Sequence, residues 1–385
     1  MSSNLASPTI FRKSKRIQKL TLNIIPKVPG SVLPSQEIRQ LILKNYIGSC
    51  TPIQPGQIQP SSIDLRLSAR AWRMRASFLP GDHRKVKTMI DQLSMQEIDL
   101  NRGFILEKGS VYLVQLQENL ALPNNIKALG NAKSSTGRLD LFTRLITDNG
   151  TEFDRVNPGY SGPLYAEIAP NSFSVLAKKG IMLNQIRFKM CENIERIDSN
   201  KRKNYDHIVQ KVRVGQSNSK TFSINLKDTG SSIIGFQAKP HTDLIDLEKL
   251  NYYNVDEFWE KVSVKQNRIV LDPGAFYIFS SQEYVSVPPQ LAAEMAPYLS
   301  MIGEFRVHYA GFFDPGFGYG LEKSEKSRAV LEIRCHETPF VLEHGQTVGQ
   351  LIFEEMLEEP DILYGKNLKS NYQGQKLKLS KHFKT

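Results

Sequence analysis

Cysteine, tryptophan and histidine are scarce in this chain: its 385 residues hold 3 Cys, 2 Trp and 7 His. Cys50, Cys191 and Cys335 are odd in number, far apart, and form no Cys-x-x-Cys pair. That excludes a disulfide framework and a cysteine-based structural zinc site, and each thiol is expected to be a small buried hydrophobe. No apolar stretch approaches the roughly 20 residues a membrane-spanning helix needs, and the first residues lack the apolar core of a signal peptide. A soluble, cytoplasmic protein with no membrane contact is expected. Acidic residues are missing from positions 1–36, where Arg12, Lys13, Lys15, Arg16, Lys19 and Lys27 supply six of the eleven net positive charges. Such an arm reads either as a solvated tail or as a contact for a polyanion or an acidic neighbouring subunit. The rest of the chain is only mildly basic, so no nucleic-acid partner is expected.

What the chain does have is an internal duplication at a constant offset of 165 residues. Ile105-Leu106-Glu107-Lys108-Gly109 returns as Val270-Leu271-Asp272-Pro273-Gly274, and Leu122-Pro123 as Val287-Pro288. Glu167, Gly180, Gln185 and Phe188 return as Glu332, Gly345, Gln350 and Phe353. Two copies are too few for a solenoid, so two similar packed domains are expected. Runs of β-branched and aromatic residues after Gly turns, as in 110–116 and 275–279, predict a mainly β fold of jelly-roll or barrel type with few short helices. The expected division is a basic arm at 1–33, a first repeat at 34–192, a polar connection at 193–222 with a strand near 208–214, a second repeat at 223–360 and a tail at 361–385. Ser35 is placed to cap an amphipathic helix bearing Ile38, Leu41 and Ile42, and a shorter helix is expected over 255–262.

Three segments could carry chemistry. Residues 130–138, Gly-Asn-Ala-Lys-Ser-Ser-Thr-Gly-Arg, gather small residues, hydroxyls and two cations, a donor set that suits a polyphosphate. The Walker order is missing, and read alone the segment fits a polar turn equally well. Two turns, 157–162 and 314–318, each precede a strand with one glutamate among apolar residues, Glu167 and Glu332. Strand alternation favours the solvated face for each; turned inward, a carboxylate is desolvated and its raised pKa suits proton transfer. The third segment, 364–375, combines Tyr, Lys and Gln and reads either as a closing flap or as a frayed end.

Together these segments resemble the deoxycytidine triphosphate deaminases, of the deoxyuridine-triphosphatase-like (β-clip) fold, in tandem form from about residue 35 to 380. Residues 58–67 (Ile-Gln-Pro-Ser-Ser-Ile-Asp-Leu-Arg-Leu) are similar to an early family strand, and 133–138 to its phosphate and catalytic loop. Residues 308–317 resemble the nucleoside-binding hairpin; 345–353 and the 372–375 tail follow in family order. The resemblance implies hydrolytic deamination of dCTP to dUTP and ammonia, with a glutamate as general base on the water that attacks C4. It implies Arg138 and Ser134 at the reacting centre, and Lys133, Ser135, Ala310, Gly311, Asp314, Tyr364, Lys369, Tyr372 and Gln375 around the nucleotide. Mg²⁺ would arrive with the triphosphate, and no zinc is implied; the His-x-Glu and Pro-Cys-x-x-Cys signature of zinc deaminases is absent. Further implied ligands are dTTP and dUTP, and the implied assembly is a homo-oligomer, a trimer first. A bifunctional deaminase and diphosphatase, a dUTPase, and a non-catalytic nucleotide-binding regulator are the alternatives.

Departures from the family pattern are unevenly shared. The first repeat keeps the Ser-Ser-x-x-Arg loop but has Asn157 in its hairpin; the second keeps Gly311 and Asp314 but has Gly303 at the offset of Arg138. Asn371 stands where the family has Lys before Tyr, with Lys366 or Lys369 nearby. The expectation is therefore one composite site, with Ser134, Ser135 and Arg138 of the first repeat facing Glu332 and the 310–314 hairpin of the second. Glu332 is the first choice of base and Glu167 the alternative.

Overall fold

The structure is a computed structural model and describes residues 30–191, 219–227, 233–297, 305–308, 311–322, 326–335, 337–365, 368 and 370–384. The basic arm to residue 29, the strand expected at 208–214, Gly303, Ala310 and Lys369 lie outside these residues.

The 165-residue offset is carried strand by strand. In the first repeat Ser161–Pro170 lies between Leu141–Thr147 and Val111–Ala121; in the second Ser327–Cys335 lies between Phe305–His308 and Phe276–Val285, all antiparallel. Likewise Met182–Met190 pairs Ile126–Ala132, and Thr347–Glu355 pairs Leu291–Pro297. One difference separates the copies. The 12-residue strand Ile63–Met74 runs through both sheet halves of the first repeat and joins them into one nine-stranded sheet. Its counterpart is two strands, Ser219–Ser223 and Gly235–Ala238, and the corresponding strands of the second repeat form one four-stranded and one five-stranded sheet. The expected connection at 193–222 therefore ends sooner, because residues 219–222 already pair with Thr347–Glu355.

Helices are few and short. Ser35–Leu43 forms with Ile38 and Leu41 buried, but Pro34, not Ser35, is its N-cap. The Ser35 hydroxyl instead donates to Asp361 (2.5 Å), which ties the helix to the tail. The helix expected over 255–262 lasts one turn, Val255–Phe258, and then becomes the strand Trp259–Val262. Aromatic Trp259 and β-branched Val262 favour the pleated surface, and both side chains reach buried positions there. No disulfide joins the three cysteines; Cys335 is buried as expected, whereas Cys191 is half-buried and Cys50 is exposed. Among the described residues no helix is long and apolar enough to cross a membrane.

The repeats share a core. Phe276, Ile278 and Val330 of the second pack into the cluster built by Leu65, Val114, Ile168 and Phe173 of the first. The strand Ser327–Cys335 explains how: Ala329, Leu331, Ile333 and Cys335 face its own repeat's core, while Val330 and Glu332 face the first repeat. This row should be wet by strand alternation alone, but the other repeat covers it. Glu167 also sits on a covered row, beneath a cover of different origin. The helix Val86–Leu93 and Tyr165 form a local apolar cluster there with Trp72 and Leu113.

Candidate active site

The strand Ile126–Ala132 delivers Lys133, after which one helical turn, Ser134–Gly137, presents its hydroxyls and leads into Arg138. The turn is pinned from below: Lys133 N–H and Thr136 Oγ1 both donate to the Leu183 carbonyl, at 2.8 and 3.0 Å. Across from it, Glu332 projects from the second repeat, and between them opens a cavity of about 270 Å³. Lys133, Ser134, Ser135, Arg138, Gly311, Asp314, Glu332, Tyr364, Tyr372 and Gln375 all line it. Of the residues expected from the sequence, only Glu167 is described elsewhere: its carboxylate accepts from Arg144 Nη2 at 2.5 Å, and Arg144 lies over the Phe153 ring.

Arg138 is the hinge of the arrangement. It is 3% exposed; Nη1 donates to the Lys378 carbonyl (2.9 Å), Nη2 to Gln375 Oε1 (2.8 Å), and the guanidinium stacks 3.8 Å from the Tyr372 ring centre. Its Nε has no hydrogen-bond partner and stands 3.8 Å from Glu332 Oε1, too far for a hydrogen bond. Burial pushes the Glu332 carboxyl up to about 8, opposed by Arg138 and reinforced by the charge of Asp140. A carboxyl balanced in this way exchanges a proton near neutral pH, and an unpartnered donor lies beside it. Chemically, the pair can activate a water and receive developing negative charge.

The remaining cavity carboxylates each hold a partner through one oxygen, while Asp64 Oδ1 is buried without one. Asp64 pairs with Lys133, and Asp314 accepts from Ser61 Oγ (2.5 Å) with Arg187 Nη2 3.8 Å away. These contacts explain the 58–67 segment: its Ser61 and Asp64 hold the hairpin and the loop, one from each repeat. Phe313, Phe317, Tyr364 and Tyr372 supply an aromatic wall, with Phe317 5.1 Å from Phe313 and 5.5 Å from Tyr364 between ring centres. Gly316, at φ +97°, is needed here because a Cβ would fall 2.7 Å from the Tyr364 carbonyl oxygen.

The described residues of the tail are docked at several points. Tyr364 N–H donates to Pro315, Gln375 Nε2 to the Arg328 carbonyl, and Ser380 Oγ to the Ser135 carbonyl at 2.7 Å. Phe383 then inserts among Tyr253, Phe258 and Trp259. This brings Lys381 into the cavity beside Lys133, where burial and the Lys133 charge lower its pKa. Lys366 and Lys369, where the sequence placed a tail cation, lie outside the described residues; Lys381 is a further cation that sequence reasoning missed, and its signal was the Ser380-Lys381-His382-Phe383 end, in which polar and aromatic residues alternate. Among the described residues no group of three or more His, Cys, Asp or Glu could hold a metal ion.

Residues 29–192 match the family model of the 2'-deoxycytidine 5'-triphosphate deaminase N-terminal domain, and residues 195–383 that of the C-terminal domain. The chain belongs to the 2'-deoxycytidine 5'-triphosphate deaminase family. Within it, the crystal structure of the Agrobacterium tumefaciens 2'-deoxycytidine 5'-triphosphate deaminase is 44% identical and superposes with a TM-score of 0.76, over 87% of this chain and all of that one. The dUMP-forming dCTP deaminase of Methanobrevibacter smithii is 33% identical over 131 residues, 33% of this chain and 61% of that protein. The Corynebacterium kroppenstedtii dUMP-forming enzyme is 31% identical over 140 residues, 36% of this chain and 70% of its own. The fold is the mainly β, deoxyuridine-triphosphatase-like one expected for the family.

Proposed function

We propose that this chain deaminates dCTP hydrolytically to dUTP and ammonia in the cavity between its repeats. The observation that carries the reading is the juxtaposition of Glu332 and Arg138, from different repeats, in one cavity that Lys133 and Lys381 also line. In this reaction a water oxygen adds to C4 of cytosine as its proton passes to a Glu332 oxygen. Glu332 hands that proton to ring nitrogen N3, takes the remaining proton from the new C4 hydroxyl and delivers it to the amino group; the C4–N bond breaks, and ammonia leaves as the C4 carbonyl forms. Arg138 Nε, otherwise unpartnered, stabilises the charge that develops at the oxygen. Because the carboxylate itself activates the water, the route needs no zinc. Lys133, Ser135 and Lys381 hold the triphosphate, Mg²⁺ arrives on the phosphates, and the aromatic wall stacks on the base.

A dUMP-forming outcome is the second reading, favoured by the Methanobrevibacter and Corynebacterium relatives, which are named dUMP-forming dCTP deaminases. Cleaving the triphosphate asks for a second activated water, for which Asp64 Oδ1, buried and without a hydrogen-bond partner, is the candidate, since Asp314 is held by Ser61. Incubation with dCTP and Mg²⁺, with ammonia and pyrophosphate read together, decides: ammonia alone supports dUTP, equal amounts of both support dUMP, and neither refutes deamination. Lys381→Ala is expected to raise KM for dCTP roughly tenfold with little change in kcat, about the 1.4 kcal/mol of one charge-assisted contact. An unchanged KM would remove Lys381 from the phosphate site.

A further inference from the structure

Two residues beyond Arg138 and two residues beyond Glu332, the same two segments meet again with their charges exchanged. Arg334 Nη2 donates to Asp140 Oδ2, which also accepts from Ser172 Oγ at 2.7 Å, and Arg334 Nη2 lies 3.2 Å from that hydroxyl. Arg334 Nη1 donates to the Gly274 carbonyl. Asp140 is 1% exposed and sits at φ +54°, a left-handed conformation that Asp tolerates better than most residues and that turns the chain out of the catalytic loop. Its own carbonyl accepts from Asn171 N–H at 3.0 Å, so the first repeat fixes it from both sides.

The four side chains form an alternating square: Arg138 and Asp140 on one segment face Glu332 and Arg334 on the other. Sliding the segments by two residues would set Arg138 against Arg334, or Asp140 against Glu332. Buried like charges are costly, so the two pairs disfavour a two-residue slip in either direction. Arg138 is kept at 3.8 Å from Glu332 while Arg334 closes fully on Asp140; the second pair takes the tight contact and leaves the first open.

The geometry points to Asp140 and Arg334 as a positioning pair for the proposed reaction: they set the inter-repeat register of Arg138 against Glu332 and balance the field at the Glu332 carboxylate. This rests on Glu332 being the base. The charged and titratable groups around that carboxylate are Arg138 and Asp140 from the loop, Tyr372 from the tail and Arg334 on its own strand. In the strand register Ile278 and His308 are the residues opposite Glu332, and Asp64 and Asp314 share the cavity. Asp140 acts on Glu332 as a like charge and raises its proton affinity, in line with the direction found for that group.

The test is the acid limb of the kcat/KM profile for dCTP in Asp140→Asn and Arg334→Gln. Removing the Asp140 charge favours the Glu332 carboxylate, so the limb moves to lower pH by roughly half a unit; removing the Arg334 charge leaves Asp140 uncompensated, and the limb moves to higher pH by a similar amount. Opposite shifts support the pair, while unmoved limbs or shifts in the same direction overturn it. If either variant fails to fold, Asp140→Glu and Arg334→Lys retain charge but alter geometry: a loss of kcat of roughly tenfold or more with the limb in place is expected, and wild-type kcat overturns the proposal. Glu332→Gln separates the two claims. Residual wild-type turnover in that variant would refute the base assignment itself, whereas an inactive Glu332→Gln with unmoved limbs refutes only the positioning pair.

Discussion

Glu332→Gln is expected to lower kcat for dCTP deamination by roughly 10³-fold while leaving dCTP affinity within a few-fold, and Glu167→Gln is expected to keep near wild-type turnover. The amide retains the shape of Glu332 and can still face Arg138, but it cannot take a proton from water. Glu167 differs in both respects that matter. Its carboxylate is bound by Arg144 at 2.5 Å, and it lies under the cluster that includes the helix Val86–Leu93, away from the cavity lining. Burial holds Glu332 protonated up to about pH 8, so the active carboxylate form gains as pH rises. Wild-type kcat/KM should therefore increase through neutral pH toward a plateau above about 8, an effect read from initial rates of ammonia release between about pH 6 and 9. Loss of turnover in Glu167→Gln with a normal Glu332→Gln would reverse the assignment.

Arg138→Lys is expected to reduce kcat/KM by about 10²-fold or more although the charge is kept. Lysine offers no planar fork, so it cannot at once reach the Lys378 carbonyl and Gln375 Oε1, stack on Tyr372 and aim a donor at Glu332. Much of the loss should fall on kcat, because the interaction that Nε makes with the reacting centre belongs to the transition state. Gln375 and Tyr372 would also lose their partner, so the tail should open; faster proteolysis of the 361–385 segment in Arg138→Lys is the structural readout. Steady-state kinetics with near wild-type kcat would show that Arg138 only anchors the tail.

The duplication was legible because strand pairing preserves spacing: Ile126–Ala132 and Leu291–Pro297 start 165 residues apart, as do Met182–Met190 and Thr347–Glu355. That the 133–138 loop and the 311–314 hairpin line one cavity was also legible, since each segment keeps the family pattern in only one of the two copies. The facing of Glu332 could not be read from its strand. Alternation tells which residues share a face, and only the packing of the other repeat decides whether that face is wet. Ser35 misled as a helix cap because its hydroxyl has a remote competitor, Asp361, which local sequence does not reveal. The Trp259–Val262 strand was hidden by helical spacing that tertiary burial overrides. Asp140 and Arg334, 194 residues apart, give no local signal at all; they become a pair only once the repeats dock.

The central claim is that one nucleotide site is built from both repeats of the chain, with Glu332 at the reacting carbon. A crystal structure of Glu332→Gln with dCTP and Mg²⁺ tests it most directly. The account predicts the cytosine against Phe313 and Phe317, C4 within one water of the amide that replaces the Glu332 carboxylate, and the triphosphate on Lys133 and Lys381. A nucleotide bound beside Glu167 and Arg144, or outside the inter-repeat cavity, would contradict it.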